Sequence, residues 1–420
     1  MNEFIESCEV YKHSLRGTYI IIPLKYSKNL KLPTVKIDNA VEKALSSDSW
    51  SDLLVQRYEK SDCYGKRFVL DNGIREILFD DGGRIPVDEV QLFMFDNQIA
   101  FLTAFLAYEN EDVQYVYKFV NPGYVNDKKE YLRKQIVSAV NEISVGGQKR
   151  LFKVYVSSEE LAIKEAYLFN AAMVERRFLE LETIDRITFN EHKLIDLSRD
   201  FTDPSEQDIT YVYGAKDIEQ CSYRWGTCIS SQSISYVYAN EDKELWNAEL
   251  IKQTAEEDLL LTMLVLYQKN TCKFLSEEIQ NTLSNTKKQY FLKDIIELKR
   301  QALLFRASST LAPSQVSRWN NVCETYRNLL EVNGVNEALE EIEQKIDLIK
   351  DEQERKAAEI QNYIATVIAV FGLISIIAAV LQIVDLMESG TTEMLATFWL
   401  SCLGVVMLGI SWVVMMVKRK

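Results

Sequence analysis

Two runs near the C-terminus, residues 363–384 and 394–417, contain no charged residue. Each reaches the ~20 apolar residues that a helix needs to cross a bilayer. The first interrupts its apolar character only with Thr366, Gly372, Ser375 and Gln382, the second with Thr397, Ser401, Gly404, Gly409 and Ser411. Between them, residues 385–393 hold Asp385, Glu388 and Glu393 and no Lys or Arg; after them the chain ends in Lys418-Arg419-Lys420. A core hairpin of a soluble protein would not explain that basic ending. The pattern predicts two membrane spans joined by a short acidic turn. Arg355 and Lys356 before the first run, with the basic tail, place both termini in the cytoplasm and the turn outside. The expected location is the inner (cell) membrane, in two passes.

The segment leading into the first span constrains the rest. No proline follows Pro313, so one helix is expected from Ser314, a candidate cap, into the span. From Val335 the apolar residues step by four and three through Leu339, Ile342, Ile346, Ile349, Ile360 and Tyr363, with Gln353 and Lys356 as interruptions. That is a heptad seam, and it needs partner helices, from this chain or from identical copies. Unbroken from 314 to 385, such a rod would be about 108 Å long. Gly334 is the expected place for a bend. The domain plan is then 1–240, 241–313, a stalk 314–362, a first span 363–384, an outer loop 385–393, a second span 394–417 and a tail 418–420.

Upstream, the run Tyr19-Ile20-Ile21-Ile22-Pro23-Leu24 predicts a strand closed by Pro23. An amphipathic helix is expected over 38–59. Strands are expected at 67–70 and 76–79, each followed by a turn, and a hairpin over 90–95 and 99–108 through Asp96-Asn97. Further expectations are a strand at 115–120, a helix over 126–143, a strand at 151–156, a helix from Ser157 to about Phe169, and two strands within 174–197. A polar loop (197–208) precedes strands at 209–213, 222–229 and 233–238. The period then switches to 3.6 for helices at 244–283 and 291–305. The expected fold is an α/β N-terminal domain, then a helical bundle and stalk, then a two-helix membrane hairpin.

The net charge of −14 argues against a surface that tracks a nucleic-acid backbone, which needs clustered Lys and Arg. It leaves room for a small nucleotide in a local pocket. The seven cysteines are scattered, with no C-x-x-C pair, which fits reduced thiols. The N-terminal dozen residues lack an apolar core, so no signal peptide is expected there. With two histidines far apart and no nucleophile-elbow, phosphate-loop, zinc-protease or dinucleotide motif, the chain is not expected to be an enzyme. Asp80-Asp81 and Glu256-Glu257-Asp258 read as a solvated turn and a solvated helix face.

In the first span Ala365, Ile368, Gly372, Ser375, Ala379 and Gln382 share a side. Such small residues allow close packing, and the same side could line a pore with Asp385 and Glu388 at its outer end. Asn362 and Thr366 are candidates for the inner mouth.

A long helix entering a first span, a short acidic turn, a second span and a basic ending, all behind a large α/β domain, resemble the CorA family of magnesium channels. The resemblance implies a homopentamer with five first-span helices around the pore. The family's Gly-Met-Asn triplet is absent: residues 382–390 read Gln-Ile-Val-Asp-Leu-Met-Glu-Ser-Gly, so no metal-site residue carries over and a divalent cation is only one candidate ion. CorA-like proteins beside type III CRISPR systems resemble membrane effectors switched by a nucleotide messenger. That comparison implies an adenylated S-adenosylmethionine (SAM-AMP) type ligand and a defence role. The alternatives are a non-conducting membrane-anchored receptor or scaffold, and an orthodox magnesium transporter. For a nucleotide, the candidate contacts are Lys149 and Arg150 after Gly146-Gly147, Asp217 after a strand, and Arg224 with Trp225 to pair with phosphate and stack on a base.

Overall fold

Strand β1 (Leu15–Tyr26) is buried along almost its whole length because it has neighbours on both edges and helices on both faces. The computed structural model describes residues 14–26, 50–55, 66–69, 75–78, 84–95, 97–108, 140–141, 152–154, 166–175, 184–193, 212–214, 225–240, 246–284, 291–389 and 404. Residues 1–343 form one unit and 344–420 a second.

The other strands are β2 (Lys66–Val69), β3 (Glu76–Leu78), β4 (Arg84–Pro86), β5 (Glu89–Met94), β6 (Ile99–Tyr108), β7 (Phe152–Val154), β8 (Tyr167–Glu175), β9 (Val212–Gly214), β10 (Trp225–Ile229) and β11 (Ser233–Asn240). The main sheet runs β2-β5-β6-β1-β8-β11-β10-β9, and β3 and β4 pair separately. All its pairs are antiparallel except β8 with β11, so the sheet is mixed.

Strand β1 does not stop at Pro23. Proline has no N–H to give to a ladder, so a central strand ordinarily excludes it. Here β8 pairs with Leu15 through Ile21 and β7 takes over from Leu24 to Tyr26. Pro23 falls in the gap between these two partners, where that edge has no ladder to break.

The β5–β6 hairpin forms as expected. Its turn holds Asn97 and Gln98 at φ 55° and 65°, the left-handed region that a tight hairpin requires. Phe95 N–H donates to the Ile99 carbonyl across the turn, and Tyr26 N–H donates to the Gln98 carbonyl. The pairing β2–β5 means that the strand at 66–69 joins the main sheet rather than its successor.

Two expectations are corrected. Tyr167, Leu168 and Phe169 belong to strand β8, not to the end of a helix. Their run is apolar throughout and sits inside a sheet covered on both faces, where periodicity cannot separate strand from helix. Within 174–197, residues Ile184–Lys193 form helix α1, not a strand. Ile187, Thr188, Phe189, Asn190 and Glu191 are all buried, polar residues included, so their burial does not follow from apolar spacing alone. The expected strand at 115–120, the loop at 197–208 and all but residues 140–141 of the helix at 126–143 lie outside the described residues.

Helix α2 (Ala248–Ser284) covers one face of the sheet and α1 the other. Side chains alternate along β1: Arg16 meets Glu191 of α1, while Gly17 faces Ile251 of α2. Helix α3 (Phe291–Ser309) follows. Tyr267 of α2 stacks on Phe95 at 4.6 Å and meets Phe305 of α3 edge-on at 5.9 Å. Buried Gln268 donates to the Ser309 carbonyl at 2.7 Å and to the Tyr326 hydroxyl at 3.0 Å.

The expected single helix from Ser314 is broken twice. Helix α4 (Pro313–Val316) starts from Ala312, not Ser314, with Pro313 in its first turn. It ends because Ser317 is extended and bridges to Trp50, while Ser51 N–H takes the Val316 carbonyl. Trp319 N–H then donates to Ser317 Oγ at 2.9 Å. Helix α5 (Asn320–Val332) ends at Asn333. Gly334, at φ +60°, makes the second break, the left-handed stop that glycine accepts without a Cβ penalty. Helix α6 (Val335–Ser389) begins immediately after.

Of the heptad seam, Val335, Ile342, Ile346 and Ile349 are buried. Ile360 and Tyr363 are 61% and 72% exposed, so the demand for an outside partner starts there. The expected turn at 385–393 is corrected in its first five residues. Asp385 through Ser389 remain helical, since the first residue able to break the helix cheaply is Gly390. The second apolar run, 394–417, lies outside the described residues except for Gly404.

Candidate functional site

Three places in the described structure hold chemistry: a buried polar layer, a cavity and the apolar part of α6. The polar layer sits between α2 and the sheet. Arg67 of β2 donates to Glu256 of α2 at 2.5 Å, and both are buried. Lys252, one turn earlier, reaches Asp88, Glu89 and Glu249 at 3.0, 3.1 and 3.0 Å. These side-chain bonds hold the Lys252 ammonium well above its usual range, against the opposing cost of burial. Burial pushes Tyr19 far up, helped by Glu256 and Glu89.

Glu256 is therefore not part of a solvated helix face, and neither is Asp258. Asp258 keeps some surface, but its carboxyl is desolvated; with Glu257 as a second cause, its pKa rises to about 7. It acts in turn on Tyr236 of β11, whose hydroxyl is pushed far up, mainly by burial. The sequence shows three acids in a row; only their packing against a sheet separates them from an ordinary charged turn of helix. Asp80 and Asp81 lie outside the described residues.

On the opposite face, Arg16 and Glu191 approach to 3.0 Å with 1% of each side chain exposed. Beside them Thr18, Tyr108, Asn170 and Ser235 form a hydrogen-bonded row across β6, β1, β8 and β11. Each bond satisfies a group that would otherwise be costly to bury. The row contains no nucleophile–base pair, and its role is to fix strand order.

The cavity has a volume of about 340 Å³, at the lower end of small-molecule sites. Its floor is Ile21, Pro23 and Phe101; Lys269, Asn270 and Lys273 of α2 and the turn residue Gln232 supply polar groups. It lies where β1 exchanges β8 for β7. Lys269 Nζ donates to Asn333 Oδ1 at 2.9 Å and to the Ser231 carbonyl at 3.3 Å. Tyr167, also on the wall, donates to the Ser230 carbonyl at 3.1 Å. Burial raises the Tyr167 hydroxyl out of the physiological range, with the Asn333 side chain opposing.

Of the expected nucleotide contacts only Trp225 is among the described residues, and it does not line this cavity. Lys149, Arg150, Asp217 and Arg224 lie outside the described residues. Trp225 starts β10, and its ring stacks on Tyr236, centroids 6.3 Å apart and planes 22° from parallel. The lysines of α2 went unread as a site, although Leu266, Lys269, Asn270 and Lys273 follow the i, i+3, i+4, i+7 spacing of one helix face. A polar stripe on a helix is ordinarily a solvated one; the notch at Pro23 opposite it is a tertiary feature.

The apolar part of α6, Ala357–Asp385, has a mean hydropathy of 2.8 over its most apolar stretch and none of that stretch is buried. Among the described residues it is the helix long and apolar enough to cross a membrane. Asn362, Thr366, Ser375, Gln382 and Asp385 are exposed along it, and Glu388 lies in the same helix. At about 100° per residue, Ser375 and Gln382 share a side with Ala365, Ile368, Gly372 and Ala379. Asn362 and Thr366 fall far round from that side, so the six candidates do not form one polar stripe. Thr366 and Ser375 donate their hydroxyls to the Asn362 and Phe371 carbonyls at 2.8 and 2.9 Å. That bond to a carbonyl one turn back lets a hydroxyl sit in an apolar medium.

The chain thus joins an N-terminal mixed sheet to a helical region with, among the described residues, one helix of membrane-crossing length and composition. No family model matches the chain, and no curated protein matches it.

Proposed function

We propose that this is a CorA-like, homo-oligomeric membrane channel whose N-terminal unit senses a small ligand, with SAM-AMP as the type of messenger and membrane disruption in defence as the outcome. The observation that carries the reading is the 29-residue stretch Ala357–Asp385, apolar, without charge between Glu359 and Asp385, and with none of its most apolar window buried. An isolated helix of that kind is stable only in lipid or against copies of itself. The second apolar run, residues 394–417, supplies the return span, and Lys418-Arg419-Lys420 the cytoplasmic anchor. Five copies of the side bearing Ser375 and Gln382 would line the pore.

Dye or ion flux from liposomes carrying the purified oligomer tests the reading. Leak is expected on addition of the messenger, and Gln382→Leu is expected to change its rate or selectivity. A tight membrane in every condition sinks the channel. A second reading, a non-conducting anchored receptor, is favoured by the Thr366 and Ser375 hydroxyls being taken up by their own backbone. On that reading Gln382→Leu and Asp385→Asn leave function intact. An orthodox magnesium transporter would instead rescue magnesium-starved cells.

A further inference from the structure

Within the first unit, the cavity against Pro23 and the joint before α6 share a residue. Asn333 closes α5, Gly334 makes the left-handed stop, and Val335 opens α6. Asn333 is 9% exposed and its side chain is held from two directions. Its Nδ2 donates to the Leu329 carbonyl at 2.9 Å. Its Oδ1 accepts from Lys269 Nζ at 2.9 Å. Lys269 is a wall residue of the cavity.

The wall chemistry selects one kind of occupant. Lys269 and Lys273 stand one helical turn apart at the rim, with the amides of Asn270 and Gln232 between and opposite. In a chain of net charge −14 this is a local reversal of sign. Ammonium groups act as point charges for phosphate oxygens, and the floor of Ile21, Pro23 and Phe101 suits a flat apolar body.

We propose that the cavity binds a small phosphate monoester, and that its phosphate draws Lys269 away from Asn333, so that occupation loosens the Asn333–Gly334 joint. Lys269 Nζ cannot keep short contacts with Asn333 Oδ1 and the Ser231 carbonyl while turning its charge fully to a phosphate. The ligand therefore favours the state in which the Asn333 grip is released, which is what a ligand must do to shift a conformational equilibrium. The inference deepens the ligand-sensing part of the proposed function and rests on it.

The test uses the full chain in detergent micelles, with adenosine 5′-monophosphate, ribose 5-phosphate and adenosine as probes. Calorimetry is expected to show binding of the two phosphates and none of adenosine. Lys269→Met and Lys273→Gln should each weaken adenosine 5′-monophosphate about 10-fold or more, the loss of one charged hydrogen bond. Lys273→Gln leaves the Lys269–Asn333 bond in place and guards against a folding defect in the first variant. Hydrogen exchange at residues 333–338 should quicken on binding. In Asn333→Ala it should be fast already and indifferent to the probe, with affinity retained. Equal binding of adenosine, unchanged affinity in both lysine variants, no binding of any probe, or binding without faster exchange at the joint would each overturn the proposal. Binding with joint loosening but no liposome leak would sink the channel and keep this site. Messenger-driven leak that survives Lys269→Met would sink this site and keep the channel.

Discussion

Arg16 and Glu191, 175 residues apart in the chain, face each other at 3.0 Å with 1% of either side chain exposed. The pair ties β1 to α1, the elements on either side of the sheet's buried polar row. Taking two charges out of water is costly, and their attraction offsets it only while both are present. Burial pushes the Glu191 carboxyl up, with Arg16 pulling the other way. Glu191→Ala is expected to destabilise the protein by about 3–5 kcal/mol, since it strands the guanidinium. Arg16→Met combined with Glu191→Leu should recover most of that loss. Thermal melting of the full chain measures both; equal losses in single and double variants would show that the pair acts through something other than charge.

Stability should fall as pH rises through the range set by Asp258. Its folded pKa, about 7, lies above the ~3.9 of an unfolded aspartate. The native state therefore holds more protons than the unfolded chain between those values, so the slope of stability against pH is negative there. Below pH ~4 the favourable contribution is complete; above about 7 it is lost. The raised Glu191 adds a slope of the same sign. The melting temperature of the wild type is expected to drop between pH 5 and pH 8, and Asp258→Asn should reduce that drop. An Asp258→Asn variant with the wild-type slope would remove Asp258 as its source.

Gly17 is required by space. A Cβ there would meet the Phe105 ring at 2.5 and 2.6 Å and Ile251 Cγ2 at 3.3 Å. The ring is itself packed against Tyr19, centroids 4.6 Å apart, and cannot swing aside. Gly17→Ala is expected to cost about 1–3 kcal/mol, the usual penalty for overfilling a core. Phe105→Leu in the same chain should relieve part of it. Additive losses in the double variant would place the strain elsewhere.

The proposed topology predicts unequal access to the two ends of the apolar stretch in α6. Met387 and Ile360 are 63% and 61% exposed. In a background with Cys402 replaced by Ser, Met387→Cys should react with a membrane-impermeant maleimide added outside intact spheroplasts. Ile360→Cys should react only after the membrane is opened. Equal labelling of both before opening would rule out a crossing between them.

Some of this was legible in the sequence and some was not. The strand around Tyr19 to Leu24, the β5–β6 hairpin, helices α2 and α3, the stop at Gly334 and the apolar stretch of α6 all follow from local patterns. Periodicity, left-handed turn chemistry and uninterrupted hydropathy act over a few residues, so a sequence carries them whole. The break at Ser317 does not, because its cause is Trp50 and Ser51, more than 260 residues upstream. Strand β1 passes through Pro23 only because β8 ends and β7 begins beside it. Glu256 is buried because Arg67 arrives from another strand, and Lys269 becomes a cavity wall because a notch in the sheet opens opposite it. Each of these depends on which distant backbone group lies within hydrogen-bonding reach. That is decided when the sheet closes, and no stretch of the chain encodes it alone.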